Sequence, residues 1–388
     1  MALFVDTSIP HGNACDIEIL HRAGETEVRF SADPHGGLEA LWFCFRLTIE
    51  STDPQSVTLV LRNPQNLLGY LPATNIRPVI NADGAGWKRL DAGCVRALPD
   101  GRIQIAWNLQ LRSSYADVAF CYPYGLPEIE QLVNDTDGYW RADTIGVSQG
   151  ARPIVRLSNR YGEPGSADPG LYIVARQHAG ETSGSWVLDG FLRHMATAAG
   201  AAPMVWVVPL INIDGVERGD YGKDNWPHDL NRAWHTSPRS PMRYEVLVAQ
   251  HDIALWSKRC RPTLAMDWHA PGGTEAEGIY FPLPDPEKET QGYLHAFRWA
   301  EELQRALGSR YARPGLPRHS SYPSRWEEPW GRPGFSSYMW NHLQVPAVSI
   351  EVPYAMIGDL VMTRDEYRSA GRQLAQGVLE RLGNRDHR

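Results

Sequence analysis

From about residue 121 onward the chain alternates short, strongly apolar runs with stretches whose apolar residues recur at helical spacing, and few folds accept that order. Strands buried on both faces read as near-continuous apolar runs. A helix between two of them carries the chain back across the sheet, so the strands pair in parallel. The strand candidates are 170–175, 203–210, 263–267 and 347–352. Residues 185–199 carry Trp186, Val187, Phe191, Leu192 and Met195 on one helical face. Ser240 and Pro241, as N-cap and first helical residue, predict a helix running to about Lys258. Thr363 and Glu366 form a capping-box pair that opens a final helix ending near Leu382. Residues 282–332, rich in Pro, Gly and Arg, predict long surface loops around one helix. The expected fold of 121–388 is α/β: a mixed, mainly parallel sheet flanked by helices.

Residues 1–120 read differently. Runs at 27–30, 41–47, 57–61 and 102–107 alternate or are β-branched and aromatic, and turn-formers at 33–37, 81–84 and 99–101 separate them. That pattern predicts a small antiparallel β-sandwich. A chain of 388 residues fits two such units. Its net charge of −7 opposes a nucleic-acid partner, which would call for a basic patch. No apolar run nears the roughly 18 residues of a membrane helix, and the N-terminus lacks a secretory leader. Cys15, Cys44, Cys94, Cys121 and Cys260 are scattered and odd in number, which points to a reducing, cytoplasmic setting rather than a disulfide framework.

Polar groups stand at the ends of the predicted strands, where ligands gather in open α/β sheets. His178 and Glu181 are three apart in a glycine-containing loop, a spacing that can aim an imidazole and a carboxylate at one cation. They read equally as a solvated histidine and a glutamate suited to a helix N-terminus. His269 follows an apolar strand and precedes a glycine turn. It is either a structural histidine or the third member of a His, Glu, His zinc set. Glu351 lies inside an apolar run, where an unpaired carboxylate costs several kcal/mol and so needs a cation, a proton or a chemical task. An arginine partner would explain it. So would a general base, whose pKa burial raises. In Asp229-Leu230-Asn231-Arg232 the guanidinium has the planar fork that suits a carboxylate, although Asn-Arg is also commonplace in loops.

Taken in order, H-x-x-E, N-x-D-G, D-x-N-R, a later single His and a final strand Glu resemble the zinc metallocarboxypeptidase family over residues 178–354. The β-rich front region, with Trp42-Phe43-Cys44-Phe45-Arg46 and Tyr122-Pro123-Tyr124, is similar to the cytosolic carboxypeptidase-type branch. The resemblance implies one zinc ion held by His178, Glu181 and His269, with Glu351 as general base. It implies Asp229 hydrogen-bonded to His178, Asn231 and Arg232 gripping a substrate's terminal carboxylate, and a peptide or protein C-terminus as substrate. The branch's oxyanion-stabilising arginine falls on Gly222, which makes Lys223, Arg218 and Arg239 candidate replacements, and position 213 is Ile where Pro is usual. Tyr322 and Tyr338 are candidates for the tyrosine that closes over substrate. Arg313, Arg318, Arg325 and Arg332 would supply a basic subsite for an acidic C-terminal residue, or merely a solvated surface. The same zinc set also suits a deacylase or amidase acting on N-acyl amino acids or cell-wall peptides. A zinc-containing binding module without catalysis is the third reading.

Overall fold

The structure is a computed structural model that describes residues 2–22, 25–35, 37, 39–50, 53–67, 72–112, 114–198, 200, 202–223, 229–235, 243–283, 290–315 and 334–383. Two five-stranded sheets occupy the front of the chain. One has the order β1 (Ala2–Asp6), β4 (Cys44–Glu50), β10 (Tyr115–Ala119), β6 (Val79–Ala82), β7 (Lys88–Arg89). The other runs β2 (Cys15–Arg22), β3 (Glu25–Ser31), β5 (Gln55–Leu61), β9 (Ile103–Leu111), β8 (Cys94–Ala97). Along β4 the inward Phe45, Leu47 and Ile49 alternate with more exposed residues, the period of a strand with one buried face. The sheets meet through Phe30 of β3, edge-on to Phe45 at 4.7 Å between ring centroids. Two details depart from the expected antiparallel sandwich. β3 and β5 pair in parallel. The strand expected over 41–47 begins only at Cys44, because Trp42 turns away from the sheet and donates its indole N–H to the His11 carbonyl at 2.9 Å.

A six-stranded sheet comes next, ordered β11 (Arg141–Val147), β12 (Pro153–Ser158), β14 (Met204–Val208), β13 (Pro169–Ala175), β15 (Arg261–His269), β16 (Ala347–Glu351). β14, β13, β15 and β16 are mutually parallel, and β11 and β12 add an antiparallel edge. From β13 the chain goes first to β14 on one side and later to β15 on the other. The carboxyl end of β13 is therefore a topological switch point. The helices are α1 (Leu126–Asp135), α2 (Thr182–Thr197), α3 (Ile213–Arg218), α4 (Tyr244–Trp256), α5 (Thr290–Tyr311), α6 (Phe335–Leu343) and α7 (Arg364–Gly383). α7 starts as the sequence predicts, with the Glu366 N–H donating to Thr363 Oγ1 at 3.2 Å. α4 begins at Tyr244, and Ser240 and Pro241 lie outside the described residues. α5 is the helix expected within 282–332. Among the described residues no helix is long and apolar enough to cross a membrane, and all five cysteines are unpaired.

Helix α2 starts immediately after Glu181, so its placement fixes where that carboxylate stands. Its far side lies on α7 with glycines at the contact. A Cβ on Gly371 would sit 1.9 Å from the Val187 carbonyl oxygen, and one on Gly190 would sit 2.2 Å from that of Arg368. Neither backbone can yield cheaply in a core at crystal-like density. Gly371→Ala should therefore destabilise the fold by about 1–3 kcal/mol. Gly383→Ala, at a position with no atom within 4 Å, should leave stability almost unchanged. Thermal denaturation of the two variants checks this, and equal melting temperatures would refute the tight contact.

Candidate metal centre

Three adjacent parallel strands bring the site together. β13 ends at Ala175, and the chain then turns through Arg176, whose φ of 61° lies in the left-handed region that non-glycine residues seldom adopt. The Arg176 guanidinium is buried and donates to the carbonyls of Ala179, at 2.7 Å from Nε, and Tyr124, at 2.8 Å from Nη1. The loop that carries His178 and Glu181 is thus bolted from below. His269 is the last residue of β15 and Glu351 the last of β16, and the two are register partners. Because register neighbours in a sheet point to one face, Glu351 stands beside His269.

The ligand atoms of His178, Glu181 and His269 all lie within 4.8 Å of one another. His178 Nδ1 is 2.8 Å from Glu181 Oε1, and His269 Nδ1 is 2.8 Å from Glu181 Oε2. The outward nitrogens face further carboxylates. His178 Nε2 is 3.1 Å from Asp229 Oδ1, and His269 Nε2 is 2.9 Å from Asp267 Oδ2. An ionised carboxylate only accepts, so without metal each ring can hold a proton on both nitrogens; the Nδ1 atoms, which converge on Glu181, are the ones a cation would take, with each Nε2 left protonated towards its outer carboxylate. Ligating histidines are usually oriented in this way. Two imidazole nitrogens and one carboxylate oxygen, buried and mutually close, fit a zinc ion with a further position open. Asp229 is also the N-cap of the single turn Leu230–Arg232 and accepts from the Asn231 N–H at 2.7 Å.

The metal-free cluster is strongly polarised. Burial pushes His178 down, but Glu181 and Asp229 outweigh it and hold the imidazole up at about 9. His269 rises well above its ordinary range, burial being overcome by Asp267 and Glu181. Burial pushes Glu181 up, yet the two imidazoles hold it down at about 2. Asp229 is likewise held well below the usual carboxylate range, mainly by His178 against burial. Glu351 goes the other way. Burial pushes it up to about 7, with Glu181 and Glu275 adding to the rise and His269 and His178 opposing it. Its Oε2 is enclosed and has no hydrogen-bond partner, and no arginine neutralises it among the described residues.

Arg232 donates to the Asn231 carbonyl at 2.9 Å and meets no carboxylate in an ion pair among the described residues. The Asn231 side chain is engaged, with Oδ1 accepting from the Phe335 N–H at 3.0 Å and Nδ2 3.2 Å from His269 Nε2. Lys223 pairs with Glu39 at 3.4 Å, and Arg218 with Asp220 at 2.7 Å. Tyr338 is partly buried and its ring lies 5.5 Å from Trp234. Tyr322, Arg239, Arg318, Arg325 and Arg332 lie outside the described residues. Arg313 is already paired with Glu277 and sits over the Tyr280 ring. Gly222 has a φ of 87°, and a Cβ there would meet the Ala179 nitrogen at 2.7 Å. The expected arginine is missing because the backbone passes too close to the ligand loop to admit a side chain. Sequence reasoning missed two groups, Asp267 and Tyr221, whose hydroxyl donates to Glu181 Oε1 at 3.4 Å. For Asp267 the signal was present: in a strand, residues two apart share a face, which places it with His269.

Residues 127–248 match the family model described as zinc carboxypeptidase, a span that includes His178, Glu181, Asp229, Asn231 and Arg232. Cytosolic carboxypeptidase 2 of Macaca fascicularis is 25% identical over 240 residues, covering 55% of this chain and 29% of that protein. The chain thus spans less than a third of that relative's length. Among solved structures, a metallo-carboxypeptidase from Burkholderia cenocepacia aligns with a TM-score of 0.76 at 17% identity, over 99% of this chain and 100% of that one. A metallo-carboxypeptidase from Pseudomonas aeruginosa, in complex with (2-guanidinoethylmercapto)succinic acid, aligns with a TM-score of 0.74 at 20% identity, over 98% and 99%. At these identities the two structures establish the shared fold.

Metal uptake must expel the protons that the carboxylates hold on the imidazoles. Zinc affinity should therefore climb with pH up to about 9, where His178 loses its proton unaided. Loading at pH 7 should release protons, measurable by calorimetry in buffers of different ionisation enthalpy. The same raised pKa stabilises the metal-free fold below the ordinary 6.5, and that contribution fades as pH rises through about 9. A buffer-independent heat at pH 7 would contradict the assignment.

Proposed function

From the premise that residues 127–248 carry the zinc carboxypeptidase family's domain, we propose that the chain is a zinc-dependent metallocarboxypeptidase that removes the C-terminal residue of peptides or protein tails. The observation that carries this reading is Glu351: a buried carboxylate with an unpartnered oxygen, raised to about 7, on the strand beside His269. A carboxyl group so placed is matched to take a proton near neutral pH and return it.

His178, Glu181 and His269 hold the ion, with Asp229 and Asp267 fixing the two imidazoles. Zinc, when bound there, polarises the scissile carbonyl and lowers the pKa of water towards about 7. Glu351 takes the proton of the attacking water and passes it to the leaving amine. Arg232, which forms no ion pair among the described residues although Asp229 lies within its electrostatic reach, receives the substrate's terminal carboxylate through its planar fork. The Asn231 amide nitrogen, 3.2 Å from His269 Nε2, has N–H donors that can serve the same carboxylate. Lys223 is paired with Glu39, so stabilising the oxyanion would fall chiefly to the metal held by His178, Glu181 and His269. Unpaired cysteines fit a cytoplasmic setting.

Glu351→Gln should keep its zinc and lose about 10²–10⁴ in turnover. The wild type should gain activity with pH along an acid limb at or below about 7 that the variant lacks. Turnover of the variant at the wild-type rate would remove Glu351 from the chemistry. Arg232→Ala should raise KM for peptides with a free C-terminus by about 10- to 100-fold, the loss of a charged hydrogen-bond pair. Amidated peptides should be poor substrates for both proteins. Cleavage of N-acyl amino acids but not peptides would favour a deacylase, and zinc at one per chain with no hydrolysis of either would favour a binding module.

A further inference from the structure

Behind His269 lies a polar chain that takes no part in the hydrolytic chemistry. Trp234 Nε1 is 2.8 Å from Gln177 Oε1, Gln177 Nε2 is 2.7 Å from Asp267 Oδ2, and that same oxygen is 2.9 Å from His269 Nε2. Trp234, Gln177 and Asp267 are fully buried. An indole nitrogen can only donate, so the Gln177 atom facing Trp234 must be the carbonyl oxygen, and the amide nitrogen must face Asp267. The usual ambiguity of a glutamine side chain is thereby removed by chemistry. Asp267 has few other means of being held. Its Oδ1 is enclosed and without a partner, and among the described residues Oδ2 meets only Gln177 and His269.

We infer that Gln177 is a positioning residue for the metal centre: its amide, oriented by Trp234, holds the Asp267 carboxylate against the outer nitrogen of His269. The backbone supports the arrangement. Gln177 comes directly after the left-handed Arg176, and its carbonyl accepts from Asn212 Nδ2 at 3.2 Å. Trp234 is fixed in turn, edge-on to Phe335 of α6 at 4.9 Å between centroids. The chain therefore runs unbroken from helix α6 to the His269 imidazole. With Nε2 kept protonated towards Asp267, Nδ1 stays the metal-binding nitrogen, and the ring is held at one angle.

The inference rests on His269 being a metal ligand, so the test separates the two. The full chain is compared with Gln177→Glu, Trp234→Phe and His269→Ala, with zinc affinity measured by chelator competition and the visible spectrum recorded after cobalt(II) loading. Gln177→Glu has nearly the shape of the native residue and still accepts from Trp234, but it sets a second carboxyl group against Asp267, and two buried carboxyls this close share one proton, so less negative charge is left on Asp267 to hold His269. It should weaken zinc binding about tenfold or more and shift the cobalt bands, with the metal-free protein still melting cooperatively. Trp234→Phe, which frees the amide to turn over, should produce a smaller loss in the same direction, and it decides the matter if Gln177→Glu fails to fold. Wild-type zinc affinity and unchanged cobalt bands in the folded Gln177 and Trp234 variants, while His269→Ala loses metal, would overturn the role of Gln177 and leave the metal site standing. Undiminished zinc binding by His269→Ala would remove both.

Discussion

A carboxylate enclosed between two imidazoles, each backed by a second carboxylate, is the interaction around which this part of the molecule is organised. Groups of this kind are costly to bury singly and become tolerable only as a closed set of charges. Glu181 touches both imidazoles at 2.8 Å, and Asp229 and Asp267 complete the outer ring. All of these residues but Asp229 come from the loop after β13 and the end of β15, which are neighbours only because the sheet is parallel there. The fold supplies proximity, and the outer carboxylates supply orientation.

Much of this was legible in the sequence. Buried parallel strands announce themselves as apolar runs, so 170–175, 263–267 and 347–352 fell within or nearly within β13, β15 and β16. Glu351 stood out because a charge inside such a run demands a reason. His178, Glu181 and His269, each ambiguous alone, gained meaning from their order. What stayed hidden depends on packing. Asp267 occupies a strand end where a polar residue is unremarked, and only the alternation of side chains places it under His269. The sequence shows no reason for the absence of an arginine at 222, whereas the backbone there leaves no room beside Ala179. Arg176 shows no sequence signal for its left-handed conformation, which is secured by the guanidinium reaching back to the Ala179 carbonyl.

The two carboxylates nearest the centre, Glu181 and Glu351, show how environment divides the labour between like groups. Both are buried. One is pressed down to about 2 by two adjoining imidazoles, and the other is lifted to about 7 by an apolar strand and neighbouring negative charge. A carboxylate held ionised and a carboxyl group poised to gain or lose a proton near neutral pH thus arise from the same side chain within one cluster.

The front sandwich reaches this cluster as well. Trp42 stands just ahead of β4, and its Cβ lies 3.1 Å from where a Cβ on Gly180 would stand, while Glu39 contacts Lys223 and Asn13 donates to the Gly219 carbonyl at 2.8 Å. The loop between His178 and Glu181 is consequently squeezed from two directions, by the sheet beneath and by an aromatic wedge from a distant part of the chain. A substitution at Trp42 would thus be felt between the two metal-site side chains without passing through any strand, so the stiffness of that loop is set partly by a residue outside the six-stranded sheet.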